Sequence, residues 1–400
     1  DTDSSPSAHG TDGVDGGAGT DTIELYNEVG FGSANTTGEG VELSLDIYHT
    51  NIEKVTVVDI ATDDNAGDAI VNIALAWTGT ALTIDATSLD QNPLSTNQEI
   101  LTVAQAATDT ALLTVNSGAG DDIISTGAAG DILTTGAGAD TITSRGGADT
   151  IVSGDGKDTI DAGAGRDNID AGAGNDTINI STDSDFEVSG GTETIDGGAG
   201  TDSLAFTATG AARDISSAEL TNVKNIEVLS VGASTLNFQT TIGLSDTFMA
   251  NNNDAITIQT NTTGNAAADH KIDASAVATG SVTVQLRGNT AAKNDTILGG
   301  GGDDTVIVGY SGQAANASNN EFTATDVFNG NGGNDTILID NRGDGTNGGE
   351  GAVTLTIDFD TVTNVESITV KDADGSGTAS DNIVVTLSGS VTAENTPATF

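Results

Sequence analysis

The sequence predicts an all-β fold made of short strands, and three observations support this. Apolar residues make up 36% of the 400 residues and fall in short β-branched runs such as VTVVDI and VTVQL, which are typical of narrow strands. A nine-residue repeat fills the middle of the chain. Helical periodicity is weak, and the stretch from Ser216 predicts at most one turn before a strand. At this length we expect several structural units.

The strongest repeat lies between Ser117 and Asn179, where seven nonapeptides follow one another. The sixth residue of each is an aspartate, and the eighth is Ile or Leu. The aspartates are Asp122, Asp131, Asp140, Asp149, Asp158, Asp167 and Asp176. Agreement at two positions through all of these repeats excludes an accident of composition, so the nonapeptide is a structural unit.

Elementary physical chemistry predicts what one nonapeptide does. Gly at its second and fourth positions permits positive φ, so the backbone can turn tightly and bring carbonyl groups together. The apolar eighth residue points inward from a three-residue strand. If two nonapeptides form one coil, alternate aspartates stack in two columns. One column holds Asp122, Asp140, Asp158 and Asp176, and the other holds Asp131, Asp149 and Asp167.

A column of aspartates requires a cation. Neighbouring strands lie ~5 Å apart. At that distance two carboxylates repel by roughly 1 kcal/mol in bulk water and about 3 kcal/mol at an effective dielectric of ~20. Carboxylate and carbonyl oxygens select a hard ion, and flexible loops favour Ca²⁺ over Mg²⁺. The repeat therefore predicts calcium sites along both columns.

These nonapeptides resemble the repeat of the RTX family, GGxGxDxUx, in which U is a large apolar residue. The resemblance implies a parallel β-roll, or β-solenoid, with Ca²⁺ held between the loops of alternate repeats. The first position departs from the family pattern, because it is Ser, Thr or Ala in all seven repeats. Arg145 replaces the glycine at the second position of its repeat, and Ala129 replaces the glycine at the fourth position of another. Whether these two loops bind calcium is therefore an open question. Lys157 and Arg166 occupy the free fifth position, where we expect them to temper charge.

Isolated copies of the nonapeptide predict further metal-binding residues. Their aspartates at the ligand position are Asp21, Asp202, Asp295, Asp304, Asp326 and Asp335. A degenerate repeat places Glu193 nine residues before Asp202. The alternative is that these copies are Asn/Asp/Gly turns between strands.

A longer repeat alternates with the nonapeptides. The segments TNIEKVTVVD from Thr50, TNVKNIEVLS from Thr221 and TNVESITVKD from Thr363 each follow a nonapeptide block. They lack the Asn-Gly regularity of hairpins, so we expect them to continue one solenoid, with separate sandwiches as the alternative. This alternation resembles the repeat-bearing regions of RTX-type bacterial surface-layer proteins.

The order of blocks predicts six segments. They are 1–24, the end of a nonapeptide block; 25–116, a first β-rich module; 117–205, the main nonapeptide block; 206–289, a second β-rich module; 290–338, a short nonapeptide block; and 339–400, the start of a third module. Because the sequence starts in one module and stops in another, we expect a fragment of a longer tandem array. The absence of a recognisable RTX-type secretion signal in SGSVTAENTPATF fits that expectation.

Composition argues against several classes of function. The net charge of −48 argues against nucleic acid and anionic membranes as partners. There is no Cys for a thiolate site and no apolar run long enough to predict membrane insertion. Only His9, His49 and His270 are present, none in a zinc motif, and we expect each to be a solvated surface residue.

No sequence motif for catalysis stands out. The chain has no nucleophile elbow and no phosphate-binding loop. A glycosidase carboxylate pair stays open, although Trp77 is the single Trp and we expect it to be a core or interface residue. The DADGSG segment from Asp372 lacks the distal Glu of a calcium loop, and we expect a β-turn there and at Arg342–Asp344. The sequence therefore predicts that the protein is not an enzyme.

These observations favour an extracellular structural protein. Calcium-rigidified modules would self-assemble into a surface layer, filament or sheath on a bacterial cell. The expected partners are copies of the chain itself, with cell-surface polysaccharide as a further candidate. The resemblance implies secretion by a type I system. Two alternatives stay open: the stalk of a large calcium-dependent RTX adhesin and, less favoured, a non-catalytic part of a secreted RTX enzyme.

Overall fold

A computed structural model describes a large part of the chain. The described residues are 18–27, 41–45, 52–59, 70–75, 81–88, 100–181, 193–207, 213–231, 240–260, 269–286, 294–308, 325–340, 353–358, 360–371 and 383–388. The chain divides into two compact units. Unit 1 comprises Asp1–Ile180 and Ser189–Asp202, and unit 2 comprises Ser181–Val188 and Ser203–Phe400.

Unit 1 is built from short strands. They are β1 (Thr22–Asn27), β2 (Val41–Leu45), β3 (Lys54–Asp59), β4 (Ile70–Leu75), β5 (Ala81–Asp85), β6 (Ile100–Gln105), β7 (Leu112–Ala119), β8 (Ile123–Ser125), β9 (Ile132–Ala137), β10 (Thr141–Thr143), β11 (Gly146–Gly147), β12 (Thr150–Asp155), β13 (Thr159–Asp161), β14 (Ala164–Gly165), β15 (Asn168–Gly174), β16 (Thr177–Ile180), β17 (Thr194–Asp196) and β18 (Ala199–Gly200).

Successive strands of unit 1 alternate between two parallel sheets. The first sheet runs β1-β3-β5-β7-β9-β12-β15-β17, with β18 also paired to β15, and the second runs β2-β4-β6-β8-β10-β13-β16. The pair β11-β14 stands apart. In the nonapeptide block, partner residues are eighteen positions apart, as in Ile142↔Ile160. Two nonapeptides therefore make one coil, and the unit is a parallel β-solenoid.

The eighth residues of the nonapeptides form the core of this solenoid. Ile124, Ile142 and Ile160 are each at most 1% exposed in the second sheet, and Leu133 and Ile151 are fully buried in the first. Burying one such side chain contributes about 2 kcal/mol. Because each strand is too short to be stable alone, the stacking of these side chains holds the coils together.

The strands before the nonapeptide block join the same two sheets. Strand β5 pairs with β7, and β7 pairs with β9 of the block. Strand β6 likewise pairs with β8. Within unit 1, the first β-rich module therefore continues the solenoid rather than forming a separate sandwich. The six segment boundaries stay a prediction.

Unit 2 contains β19 (Ser203–Phe206), β20 (Arg213–Ile215), β21 (Val223–Lys224), β22 (Val228–Val231), β23 (Thr240–Gly243), β24 (Ala255–Thr260), β25 (His270–Asp273), β26 (Ser281–Gln285), β27 (Thr296–Leu298), β28 (Thr305–Val308), β29 (Val327–Asn329), β30 (Thr336–Asp340), β31 (Val353–Asp358), β32 (Val362–Thr363), β33 (Ser367–Lys371) and β34 (Ile383–Ser388). One parallel sheet runs β19-β22-β24-β26-β28-β30-β33 and another runs β20-β23-β25-β27-β29-β32, while β31 pairs with β34.

In the described part of unit 2, two short helical elements interrupt the strands. A 3₁₀ turn at Glu219–Asn222 precedes β21, which confirms the single turn predicted from Ser216. Helix α1 (Asp246–Asn251) was not predicted; the Ser245 side chain caps it by accepting a hydrogen bond from the Phe248 N–H. Phe248 and Met249 are buried and anchor this helix in the core.

Several predictions fall outside the described residues. These concern His9, His49, Trp77, the turn at Arg342–Asp344 and the DADGSG segment from Asp372. Of the helices in the described part of the chain, none has the length and apolar character needed to cross a membrane.

Candidate metal-binding site

The predicted aspartates of the main block form two columns. Loops that lead from the first sheet to the second carry the edge A column, which comprises Asp122, Asp140, Asp158, Asp176 and Asp202. Loops that lead back carry the edge B column, which comprises Asp131, Asp149, Asp167 and Glu193. Both columns follow the arrangement that two nonapeptides per coil predicts.

Hydrogen bonds link the residues of each column. On edge A, the backbone N–H of Asp140 donates to Oδ1 of Asp158 at 2.9 Å, and the N–H of Asp158 donates to Oδ1 of Asp176 at 2.8 Å. On edge B, the N–H of Asp131 donates to Oδ1 of Asp149 at 2.7 Å. Each carboxylate thus closes the turn of the preceding coil, a role that the sequence did not reveal.

The second carboxylate oxygen is the feature that points to a metal. Asp122, Asp140, Asp158 and Asp176 are at most 1% exposed. Within the described part of the chain, the Oδ2 atoms of these four residues, and of Asp131 and Asp149, are buried and accept no hydrogen bond. A buried carboxylate oxygen without a partner is costly, so each column calls for a cation.

Burial makes these carboxyl groups hard to ionise. It raises the pKa of Asp122 to about 7, although the Ser117 hydroxyl and the Leu101 N–H oppose the shift. Burial likewise raises the pKa of Asp140 and of Asp149 to about 6. The charge of the next carboxylate in the column adds to the rise at Asp122 and Asp140. A bound cation would remove this penalty.

Glycine brings the backbone of successive edge A loops into close contact. Gly156 has φ +149°, and a Cβ placed on it would lie 1.6 Å from the carbonyl oxygen of Gly138. The N–H of Gly156 donates to the Ala173 carbonyl at 2.6 Å. No L side chain fits at such a position, so the loops form a cradle lined by backbone atoms.

Buried hydroxyls account for Ser and Thr at the first repeat position, where the family pattern has Gly. The Ser117 hydroxyl donates to the Thr135 carbonyl at 3.0 Å, and the Thr135 hydroxyl donates to the Ser153 carbonyl at 3.0 Å. On edge B, the Ser144 hydroxyl donates to the Ala162 carbonyl at 2.8 Å. These side chains link one coil to the next, which glycine could not do.

The isolated copies also belong to columns, at larger sequence spacing. The Asp304 N–H donates to Oδ1 of Asp335 at 2.8 Å, and the Asp295 N–H donates to Oδ1 of Asp326 at 2.8 Å. In both pairs the residues are 31 positions apart, because longer connections fill each coil of unit 2. Burial, with the charges of Asp304 and Glu366, raises the pKa of Asp335 to about 7.

Three further residues, which the repeat pattern did not predict, occupy the same structural position. The Asp21 N–H donates to Oε2 of Glu53 at 2.7 Å, and the Asp335 N–H donates to Oε2 of Glu366 at 2.7 Å. Oδ1 of Asn252 accepts from the Ile226 N–H at 2.7 Å. The signal for the two glutamates is the recurring Asn-Ile-Glu or Asn-Val-Glu just before a strand.

His270 is a correction to the sequence analysis, which expected a solvated surface residue. The side chain is 8% exposed, and its Nδ1 lies 3.1 Å from Oδ1 of Asp295. The His270 N–H donates to the same oxygen at 2.7 Å. Because β25 lies between β23 and β27 in its sheet, the residue is enclosed on both sides.

The donor set fits calcium. Among the described residues, no three His, Cys, Asp or Glu side chains gather as a metal-binding cluster. A metal on edge A would therefore take its ligands from the unpartnered carboxylate oxygens and from backbone carbonyls of the glycine cradle. An all-oxygen set of this kind suits a hard cation such as Ca²⁺.

Comparison with protein families agrees with this chemistry. A model of the RTX calcium-binding nonapeptide repeat, which spans four copies, matches residues 116–151, 143–178, 152–186, 188–205, 289–309 and 323–338. The chain carries RTX calcium-binding repeats. The matched residues include every residue of edges A and B and the four column aspartates of unit 2, but not Asp21. A search of curated proteins found no match to the chain.

The RTX repeats thus have calcium as their ligand, and the parallel β-roll expected from the family is the observed fold. The assignment of individual aspartates as calcium ligands stays a prediction. Asp21 has the geometry of a column residue through its contact with Glu53 although it lies outside the matched ranges.

Proposed function

We propose that the chain is part of an extracellular structural protein whose RTX modules, made rigid by calcium, self-assemble into a surface layer, filament or sheath on a bacterial cell. The observation that carries this proposal is the pair of buried carboxylate columns on edges A and B. The columns run through the stacked coils, so metal binding at the columns and packing of the solenoid core would stabilise the same coils.

Calcium would be held by Asp122, Asp140, Asp158, Asp176 and Asp202 on edge A, together with glycine carbonyls. When bound, the ion supplies positive charge to carboxylates that burial has stripped of water. The residues of the chain do the rest. Their Oδ1 atoms close the turns, and the core side chains hold the strands in register. Metal-binding free energy becomes folding free energy in such a case.

The net charge of −48 supports an extracellular role. Without calcium the carboxylates repel one another and favour an unfolded chain, which is the form that can pass through a secretion channel. RTX repeat proteins are typically secreted, and calcium is abundant outside the cell. We therefore propose folding after export through a type I system.

Self-association is proposed from the parallel stacking of strands. A strand with no neighbour on one side presents unpaired N–H and C=O groups, and a strand of another stack can pair with them. Copies of the same chain offer matching coil geometry and are the proposed partners. Cell-surface polysaccharide is the proposed second partner, as an anchor on the cell.

Negative-stain electron microscopy of the purified chain, before and after addition of millimolar Ca²⁺, tests the proposal. Ordered lattices or fibres that form only with Ca²⁺ and dissolve in chelator are the expected result. Separate rods at all protein concentrations would contradict self-assembly and favour the adhesin stalk, because a stalk needs rigidity without lateral contacts.

A further inference from the structure

Arg145 occupies a backbone position that other repeats fill with glycine. Its φ is +68°, in the left-handed region, whereas the second-position residue of the next edge B loop is Gly163 at φ +77°. A side chain with a Cβ costs free energy in this conformation. The backbone of the loop would accept glycine at this position at a lower cost. The contacts of the arginine side chain, which glycine cannot make, are therefore the feature that distinguishes this loop.

The Arg145 side chain reaches across two coils. Its Nη1 donates to the carbonyl oxygen of Gln105 at 2.9 Å and also to the carbonyl oxygen of Thr126. Gln105 and Thr126 directly follow residues that pair in register between β6 and β8. The guanidinium therefore lies along the stack and binds equivalent carbonyls of two successive coils.

The loops around Arg145 are also those in which edge B is least regular. Loop 126–131 has Ala129 at the fourth position, where edge A loops have glycine. Strands β7 and β9 extend through the edge A loops as far as Ala119 and Ala137. In the described part of edge B, the paired segments are the two-residue strands β11 and β14. The coils nevertheless approach closely here as well, since a Cβ on Gly147 would lie 2.0 Å from the carbonyl oxygen of Ala129.

The same two loops nevertheless contain buried negative charge. Asp131 and Asp149 are at most 1% exposed, and their Oδ2 atoms have no hydrogen-bond partner within the described ranges. A guanidinium is permanently charged and presents several donors in a fixed plane. It can therefore supply positive charge and bind carbonyl oxygens at once, as a metal ion does elsewhere in the columns.

We propose that the Arg145 guanidinium is a built-in cation that takes the place of one calcium ion where it binds the carbonyls of Gln105 and Thr126, between the segment after β6 and loop 126–131. The edge A loops then bind calcium, while this part of edge B is held by the protein itself. The inference rests on calcium binding by the RTX repeats and goes beyond the proposed assembly function.

Counting bound calcium tests this inference. Native mass spectrometry of the calcium-saturated full chain gives the number of ions for the wild type, Arg145→Gly and Arg166→Gly. Arg166 is exposed and lies in the next edge B loop, so its removal changes the net charge equally. We expect one additional ion in Arg145→Gly and none in Arg166→Gly. An unchanged count in Arg145→Gly, or an equal gain in both variants, would overturn the inference.

Two further variants separate charge from loop geometry. Arg145→Lys keeps the positive charge and is expected to bind the wild-type number of ions. Arg145→Gln loses the charge but keeps a hydrogen-bonding side chain, and we expect it to gain one ion even if Arg145→Gly fails to fold. No gain in Arg145→Gln contradicts the inference. A wild type that binds no calcium overturns both proposals, whereas calcium-dependent assembly with unchanged variant counts overturns only this one.

Discussion

At the scale of the residue, one carboxylate performs two tasks. Oδ1 of Asp158 accepts the Asp140 N–H at 2.9 Å and so belongs to the backbone hydrogen-bond network. Oδ2 of the same residue is buried and, in the described part of the chain, accepts no hydrogen bond. The role of Oδ1 requires only a hydrogen-bond acceptor at this position. The buried Oδ2, by contrast, requires a cation beside it.

Asn252 shows that the two tasks can be separated. Its Oδ1 accepts the Ile226 N–H, while its Nδ2 donates to the carbonyls of Val223 and Phe248 at 3.3 and 2.6 Å. The amide therefore closes the turn without any ion. Asparagine in an edge A column should do the same.

Asp158→Asn is accordingly expected to bind fewer calcium ions, by up to two, because Asp158 lies between Asp140 and Asp176. Without calcium at pH 7 the variant should be more stable than the wild type, since it buries one negative charge less. Isothermal titration calorimetry gives the ion count, and the β signal in far-ultraviolet circular dichroism in chelator compares the folded fractions of the two calcium-free proteins.

Asp170→Asn is the matched control for Asp158→Asn. Asp170 is exposed on the outer face of the same block, so the same chemical change should leave the ion count unchanged. An identical count in the wild type and Asp158→Asn would remove Asp158 from the set of calcium ligands.

At the scale of the loop, backbone stacks tightly on backbone at the fourth position of the repeat. Gly156 and Gly138 approach so closely that a methyl group on Gly156 would collide with the Gly138 carbonyl. Gly146, at the third position of its repeat, is different. A Cβ there would lie 3.6 Å from the nearest atom, the carbonyl oxygen of Ala164.

Gly156→Ala should therefore lower the stability of the calcium-bound protein by at least about 2 kcal/mol, because it adds positive-φ strain to the collision. Gly146→Ala should change it by less than about 0.5 kcal/mol. Guanidinium unfolding in saturating calcium measures both. Equal stability of the two variants would mean that the edge A loops do not stack as described.

The repeat period was sufficient to predict the arrangement of the coils, but it did not predict the hydrogen bonds between them. A nine-residue period with an apolar eighth position was enough to predict the two columns and the inward Ile and Leu. The unit 2 columns are less regular, since their residues lie between 22 and 31 positions from the N–H groups they accept. Because the connections between the strands of unit 2 differ in length, no constant sequence spacing marks these residues.

Other features depend on tertiary contacts that no local pattern contains. Helix α1 has only six residues and is stabilised by the burial of Phe248 and Met249. Glu53 and Glu366 lie in segments that pattern analysis assigned only to strands. His270 is buried because neighbouring strands cover it, and its sequence context of charged and small residues gives no sign of this.

At the scale of the whole molecule, buried carboxyl groups couple folding to pH. The folded-state pKa of Asp122 is about 7 and that of Asp140 about 6, whereas an unfolded Asp titrates near ~3.9. The folded state therefore binds protons more tightly. The contribution of these groups to stability is present in full below the unfolded pKa and is lost as pH rises through about 6 to 7.

The calcium-free chain should therefore become less stable between pH 5 and pH 8, a range that stays above the sequence pI of about 4.1. Far-ultraviolet circular dichroism of calcium-free protein across this range measures the trend as a loss of β signal with rising pH. In saturating calcium the loss of stability should disappear, since the ion replaces the proton on the carboxylates. Rising stability of the calcium-free chain from pH 5 to pH 8 would contradict the assignment of buried, unpaired carboxylates.

The central claim is that calcium bound at the carboxylate columns makes the folded solenoid stable. Far-ultraviolet circular dichroism of the full chain at pH 7.5, in excess EGTA and then during titration with Ca²⁺, tests it most directly. We expect little strand signal in EGTA and a cooperative gain of β structure as calcium is added. An unchanged β signal in excess EGTA would contradict the claim.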